Sequence, residues 1–412
     1  MRESERAHNS YDVLILGGGP AGSATAIALK RLDAGLRIAL LEKTSYSSLR
    51  IGETLPPPAQ ASLAGLGVWD AFLATSPLQS YGTRAAWGNP KPVDNEFIFS
   101  PYGHGWHVDR RAFDAMLARE AGRAGAEIYF QTRPVCEPLH EKNWVLKIQS
   151  ADGPTRMVGA RFVVDATGRR SWFACGQGPR HVVYDQLAGV FLFFRFDHVK
   201  APADTYTMVE ACEHGWWYSS LVPNGSVAVA LMTDASAIRE LRWKSCEEWC
   251  ALTASAPHTA QRIAGAAALG KPVVYAASSQ RLENPVGDNW LAAGDAASTF
   301  DPLSSQGIVK ALRSGIRAGR AICRHLRGDR QALAEYAQFV GREFSKYLAV
   351  RAGYYRLEQR WPDLPFWRTR FQVPQTSQVP PEEKLLSGGT TNALQLDHQH
   401  QPEPHEAAAG KI

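Results

Sequence analysis

The segment Gly17-Gly18-Gly19-Pro20-Ala21-Gly22 constrains this chain more than any other. It stands between a short apolar run, Tyr11-Asp-Val-Leu-Ile-Leu16, and an Ala-rich stretch over residues 21–32. An uninterrupted apolar run of that length suits a strand buried on both faces, and the Ala-rich stretch suits a helix. A second strand is expected over Arg37-Ile-Ala-Leu-Leu-Glu42, completing a βαβ unit. Within the turn, Gly17 permits the tight reversal and Gly19 lets backbone N–H groups approach a pyrophosphate. Gly22 lets the helix pack close to the strand. Pro20 and Ala21 open that helix, whose positive dipole end faces the same place. Twenty residues after Gly22, Glu42 is placed to accept hydrogen bonds from a ribose 2′-OH. A carboxylate there argues against a 2′-phosphorylated nucleotide at this site.

The 412 residues, 45% hydrophobic and 21% charged, exclude a disordered, collagen-like or coiled-coil chain. A formal charge of +5 spread over that length is no nucleic-acid footprint. Cys136, Cys175, Cys212, Cys246, Cys250 and Cys323 lack zinc-ligand spacing and read as reduced thiols. The polar stretch over residues 1–10 is unlike a signal peptide. The longest apolar runs, residues 13–16 and 190–194, are far below the roughly 20 residues that span a bilayer. A soluble, cytoplasmic protein without nucleic-acid or membrane partners is therefore expected.

Further along, residues 108–122 read as an amphipathic helix, and residues 161–166 and 289–293 as buried strands. Residues 189–232 change to β-branched and aromatic runs broken by turns such as Pro223-Asn-Gly225, the mark of an inserted antiparallel sheet. A helix is expected over residues 307–326, with more helix to Arg360. From Gln375 onward the chain is Pro-, Gln-, His- and Glu-rich and reads as a disordered tail. His398, His400 and His405 within it read as solvated low complexity rather than as metal ligands.

The second decisive signal is Gly294-Asp295-Ala-Ala-Ser-Thr-Phe-Asp301-Pro302-Leu-Ser-Ser-Gln-Gly307. It resembles the ribityl- and flavin-contacting motif of the FAD monooxygenase superfamily, which includes aromatic hydroxylases, halogenases and geranylgeranyl reductases. The resemblance implies an α/β fold: a Rossmann-like FAD-binding domain (8–80, 105–180 and 281–330) carrying an inserted antiparallel substrate sheet (181–280, with the segment 81–104). A helical C-terminal region (331–374) and the tail (375–412) complete the division. It implies that Asp295 bonds the ribityl hydroxyls and that Gly294, Pro302, Gly307 and Ile308 meet the flavin, with a helix dipole favouring its anionic reduced form. Arg110, in Val108-Asp-Arg-Arg-Ala-Phe-Asp114, matches the family's arginine-bearing helix start. Glu53, in Arg50-Ile-Gly-Glu-Thr-Leu-Pro-Pro57, matches the Gly-Glu segment beside the flavin. Gly168 matches the end of an Asp-Gly pair that also touches the nicotinamide cofactor. Here Ala166 and Thr167 intervene. Whether NAD(P)H reduces the flavin directly or through a reductase stays open.

Two departures argue against a halogenase. Gly82 stands where those enzymes carry the lysine that captures hypohalous acid, with Arg84 the nearest base, and Ser304 stands where a tryptophan halogenase has a glutamate. The halogenase W-x-W-x-I-P signature has only a loose echo in residues 214–223. The chain more closely resembles the LodB-like flavoproteins, through residues 51–57, Gly215-Trp-Trp-Tyr218 and the aromatic stretch 354–367. That resemblance implies hydroxylation of a tryptophan in a partner protein during tryptophylquinone cofactor biogenesis, with O₂, reduced FAD and a flavin C4a-hydroperoxide. The alternative is a small-molecule aromatic hydroxylase or halogenase-like enzyme of secondary metabolism. An isoprenoid reductase and a non-enzymatic assembly partner are weaker rivals.

Trp106, Trp216, Trp217 and Tyr218 are candidate walls of an aromatic pocket. Strand alternation forbids Trp216 and Trp217 from lining the same face. His107 and Asp301 are the weak candidates for a base toward the ring proton. A structural hydrogen bond is the more ordinary reading of His107. Arg313, Arg317, Arg320, Arg324 and Arg327 form a basic helical stripe, read as a solvated face before a docking site. Residues 361–367 are expected to brace the C-terminus or to cap the substrate opening.

Overall fold

The computed structural model describes residues 10–135, 139–140, 143–151, 153–196 and 204–371. The tail from Gln375, its three histidines and Cys136 lie outside them. Five parallel strands form the centre of the first sheet, in the order Trp290–Ala292, Arg156–Asp165, Ser10–Leu16, Ile38–Leu41 and Glu127–Tyr129. Val13 to Leu16 and the whole of Ile38–Leu41 are buried, as strands covered by helices on both faces must be. The helix Pro20–Leu32 follows the first strand.

The helix Gly307–Leu326 lies directly against it. A Cβ on Gly315 would fall 2.4 Å from the carbonyl oxygen of Ala21, and one on Gly319 would fall 2.8 Å from the Ala28 Cβ. The two helices meet at backbone distance because both positions lack side chains. The arginine stripe on the outer side of Gly307–Leu326 is largely tied down within the chain. Arg313 pairs with Glu343 (3.0 Å), Arg324 with Glu335 (2.6 Å) and Arg327 with Asp33 (3.2 Å). Arg317 lies over the Phe339 ring.

The inserted sheet has seven strands, in the order Ala267–Ala276, Leu187–Arg195, Val227–Asp234, Gly215–Leu221, Thr207–Cys212, Gly82–Ala86 and Val93–Glu96. It is antiparallel except where Thr207–Cys212 runs parallel to Gly82–Ala86. An all-antiparallel sheet was the expectation, but no hairpin joins these two strands, so turn geometry does not set their relative direction. Along Gly215–Leu221 the side chains alternate as strand geometry demands. Trp217 packs against Trp249 (ring centroids 5.2 Å apart), whereas Trp216 packs against Trp87 and bonds Tyr355 on the other face.

The C-terminal region consists of the helices Ala332–Leu357 and Pro365–Phe371. Residues 361–367 form a brace. Trp367 is fully buried, its indole N–H donates to the Cys212 carbonyl (3.0 Å), and Arg370 pairs with Asp234 (2.8 Å). Among the described residues no helix is long and apolar enough to cross a membrane.

Gly315→Val tests the helix crossing. Its branched side chain must push two backbones apart, and a loss of about 3 kcal/mol is expected, at the upper end for overpacking. Urea unfolding of the variant beside the parent checks it; an unchanged midpoint would show that the helices separate without cost.

Candidate functional site

The residues singled out for a nucleotide cofactor gather at the carboxyl ends of four parallel strands. Gly17 follows Ser10–Leu16, Glu42 follows Ile38–Leu41, Gly168 lies just past Arg156–Asp165, and Gly294 lies just past Trp290–Ala292. Open α/β sheets bind ligands at this edge. The three motif glycines then separate by role. Gly17 has φ +109°, and a Cβ there would lie 2.2 Å from the Ala166 carbonyl oxygen. A Cβ on Gly22 would lie 1.9 Å from the Gly17 carbonyl oxygen. Around Gly19 there is nothing within 4 Å, so the protein itself leaves this position open. No side chain caps the helix start beside it. Free N–H groups, a dipole end and open space together fit a pyrophosphate.

Glu42 is buried and already well bonded. It accepts from the Gly18 N–H (3.0 Å), the Thr44 N–H (2.9 Å), the Thr44 hydroxyl (2.6 Å) and Arg50 (3.1 Å). It thus fixes the glycine loop as well as standing where a ribose is expected. Arg110 is likewise engaged: it donates to the Ile51 carbonyl (2.5 Å) and twice to Asp114 (3.1 Å each). Asp114, bonded also by Arg50 at 2.8 Å, is the buried anchor of this corner.

At the opposite end, Gly294 has φ +64° and would meet the Ala21 Cβ at 2.5 Å if it carried a side chain. This contact joins the two glycine motifs in space. Asp295 next to it bonds Lys310 (2.6 Å), while 43% of its side chain stays exposed. Burial opposes its ionisation, but the Lys310 ammonium outweighs that and holds the carboxyl below its usual range. Lys310 itself is buried, donates also to the Ser298 carbonyl and lies over the Phe300 ring. The turn Pro302–Ser304, then Ser305 at φ +52°, lead to an exposed Gly307 and a helix start with no side-chain cap. Ile308 behind it is buried. Gly168, at φ +81°, has open space around it, while Asp165 turns inward to the Thr167 N–H and hydroxyl and the Ala174 N–H.

The expected pocket walls divide among three places. Trp106 packs edge-on to Trp69 and Phe72 in the core of the first domain. Trp217 lies in the core behind the inserted sheet. Trp216 faces the other way but is fully buried beneath Trp87, Tyr355 and Trp367, with its N–H donated to the Tyr355 hydroxyl (3.1 Å). These three fill cores. Tyr218 alone turns its polar end toward the Gly-Glu segment, within reach of Thr54 (2.8 Å), Ser220 (2.9 Å) and Glu53 (3.4 Å).

Neither candidate base is free. The His107 Nε2 lies 2.8 Å from the Thr205 carbonyl and so carries the proton, while Nδ1 lies 3.3 Å from the Thr54 hydroxyl. Burial lowers its pKa to about 4, leaving a neutral, positioned ring. Asp301 is fully buried. One oxygen accepts from the Leu303 N–H (2.9 Å), and the other accepts from Tyr355 (2.8 Å) and Arg351 (3.2 Å). Burial pushes its pKa up against the pull of Arg351. Both residues hold structure, because every bond that makes them look reactive in the sequence is used inside the protein. Lys310, Asp114, Arg351 and Tyr355 are the contributors that motif reading missed. Lys310 left a signal, as a lone lysine within the apolar run Ile308-Val-Lys-Ala-Leu312, while Asp114 and Tyr355 stood inside segments already singled out but without a role of their own.

An open position at Gly19, two uncapped helix starts and the contact that joins their glycine motifs fit an extended dinucleotide cofactor. The chain matches the FAD binding domain family over residues 10–339 and belongs to it. It is an FAD-dependent oxidoreductase. LodB of Marinomonas mediterranea, described as an FAD-dependent oxidoreductase, is 29% identical over 88% of this chain and 97% of its own length. A 1H-pyrrole-2-carbonyl-[peptidyl-carrier protein] brominase of Pseudoalteromonas luteoviolacea is 28% identical over 86% of this chain and 89% of its own. Among solved structures, the peptidyl tryptophan dihydroxylase QhpG shares the fold with a TM-score of 0.69 and 22% identity, over 90% of this chain and 81% of that one.

Gly19→Ala is expected to leave the apoprotein as stable as the parent yet weaken FAD about tenfold or more, a loss of at least about 1.4 kcal/mol. Gly22→Ala should damage both folding and binding. FAD titration and thermal unfolding of the apoproteins check the pair; equal effects on folding would remove the distinction. Lys310→Met should weaken FAD about tenfold, with the loss deepening toward acid pH as Asp295 loses the charge that keeps it ionised. Titrating FAD at several pH values checks it.

Proposed function

We propose that this protein hydroxylates an aromatic ring with dioxygen, and that the ring is a tryptophan side chain of a partner protein maturing toward a tryptophylquinone. The observation that carries the reading is the environment of the position aligned with the halogenase lysine. A side chain on Gly82 would begin 2.5 Å from the Asn95 carbonyl oxygen and 2.7 Å from the Tyr206 ring. Arg84, the nearest base, is held by Asp94 (2.6 Å) and Asp204 (2.9 Å). The Ser304 hydroxyl donates back to the Asp301 carbonyl (2.9 Å). With no group there to take up hypohalite, oxygen passes straight to the ring.

When bound and reduced, FAD supplies the electrons that activate dioxygen. The chain's own residues do the remaining work. The Gly17 loop and Arg110 corner hold the cofactor's phosphate end and its neighbouring backbone. Lys310 keeps Asp295 anionic for the ribityl hydroxyls, and Ile51 and Leu303 pack against the apolar cluster of Trp216 and Tyr355. The activity that the QhpG name states and the similarity to LodB both favour a protein-borne tryptophan. The internal use of Asp165 favours electrons from a separate reductase over direct NAD(P)H contact. A second reading, halogenation of an aromatic substrate, is favoured by the brominase relative.

The test is to photoreduce the FAD-loaded protein anaerobically, then admit O₂ with a tryptophan-bearing precursor protein, with and without bromide. The expected result is a mass gain of one or two oxygen atoms on a tryptophan, indifferent to bromide. Bromination would establish the second reading. Peroxide release with an unmodified partner and unmodified small aromatic substrates would sink both.

A further inference from the structure

We infer that the Glu53 carboxylate is the group that accepts the ring proton during hydroxylation, held in place by a Tyr218–Thr54–His107 chain. This rests on the reading that an aromatic ring is the substrate. The geometry begins at His107, whose Nε2–H is committed to the Thr205 carbonyl, leaving Nδ1 as an acceptor toward Thr54. The Thr54 hydroxyl lies 2.8 Å from that of Tyr218. Tyr218 reaches Glu53 at 3.4 Å and also has Ser220 at 2.9 Å. The Tyr218 proton therefore has three destinations: Glu53 when the carboxylate is ionised, and Thr54 or Ser220 when it is not. The array accommodates both protonation states of Glu53 by turning one hydroxyl, with no backbone movement.

Arg110 fixes Ile51, two residues before Glu53, and both Ile51 and Tyr218 pack on the cluster containing Trp216 and Tyr355. Glu53 is 2% exposed, while Gly52 beside it lies at the surface. The other Glu53 oxygen accepts from the Gly52 N–H (3.1 Å), and the residue's own backbone N–H also bonds the carboxylate. The charged and titratable groups facing this array are Arg110, Tyr218 and His107, with Arg262 beyond them paired to Asp204 (3.2 Å). Burial raises the Glu53 pKa to about 6, against the pull of its own backbone N–H, Arg110, the Gly52 N–H and Tyr218. A carboxylate so poised is ionised at neutral pH and basic enough to take a proton.

The step balances as follows. A π pair of the ring forms the C–O bond to one oxygen atom of dioxygen while the O–O bond breaks, and the other oxygen atom leaves as hydroxide, to become water, with the two electrons that reduced flavin supplies. The ring C–H bond then breaks, its electron pair restores the aromatic system, and the proton passes to Glu53.

Infrared difference spectra of the FAD-loaded protein across pH read the carboxyl without turnover. A protonated-acid band should fade through pH about 6 and be missing from Glu53→Gln. Tyr218→Phe removes a hydrogen bond to the ionised form and should move that titration to higher pH. In single turnovers with a tryptophan substrate the rate should rise through the same pH. Glu53→Gln should lose that limb, slow ring oxygenation at least tenfold with substrate affinity unchanged, and gain an isotope effect on the ring hydrogen; Glu53→Asp should recover part of the rate. A band that persists in Glu53→Gln, or a pH limb that survives it, overturns the assignment. Should the parent oxygenate no aromatic ring, the functional reading fails, whereas the infrared titration and its Tyr218→Phe shift still judge the array. A misfolded Glu53→Gln leaves the Tyr218→Phe shift to decide.

Discussion

Everything in this protein hangs on two helices that touch at backbone distance. Gly294, Gly315 and Gly319 let the helix Gly307–Leu326 settle onto Pro20–Leu32, with Ala21 under both Gly294 and Gly315. The Gly17–Gly22 turn and the Pro302–Gly307 turn lie nearly three hundred residues apart in sequence, yet this crossing brings both helix starts to one edge of the sheet. Larger side chains would separate them, and an extended dinucleotide would then bridge two sites that no longer face each other. Dispersion and burial act only at such close range, which is why three missing side chains carry so much of the architecture.

A second constraint ties that cofactor edge to the inserted sheet. Asp301, at the head of the Pro302–Ser304 turn, binds Tyr355 and Arg351, and Arg351 reaches Asp185 at 3.0 Å. Tyr355 in turn receives the Trp216 indole N–H. A buried carboxylate thus links the cofactor turn, the C-terminal helix and the sheet. Removing one partner from such a buried set costs about 3–5 kcal/mol, because the charge left behind has no solvent. The aromatic brace of Trp87, Trp361 and Trp367 closes over the same joint.

Electrostatics divides the labour at the site. Lys310 keeps Asp295 charged at the edge proposed for the cofactor's hydroxyl groups. Desolvation leaves His107 neutral and Glu53 half-way between its two forms near pH 6. Three ionisable residues within one fold are sent to three protonation behaviours by burial and neighbours alone. The same logic makes Arg84 unavailable, since two aspartates already claim it.

Much of this was legible in order along the chain. The Gly17–Gly22 turn, Glu42, the Asp295 motif and the helix from Gly307 are local patterns, and periodicity and turn chemistry are written in neighbouring residues. The opposite facing of Trp216 and Trp217 followed from strand alternation. Which face opened to a ligand did not follow, because it depends on what the distant C-terminal helices lay over Trp216. His107 and Asp301 looked reactive until the carbonyl of Thr205 and the side chains of Arg351 and Tyr355 were placed beside them. The partners of Lys310 and Asp114, and the Glu53–Tyr218 array, became visible only in the folded chain. By itself the sequence determined the elements, the cofactor class and the glycines that admit it. Tertiary structure decided which polar groups are spent on each other and which remain for chemistry, because a side chain's charge and availability are set by neighbours that packing, not adjacency, supplies.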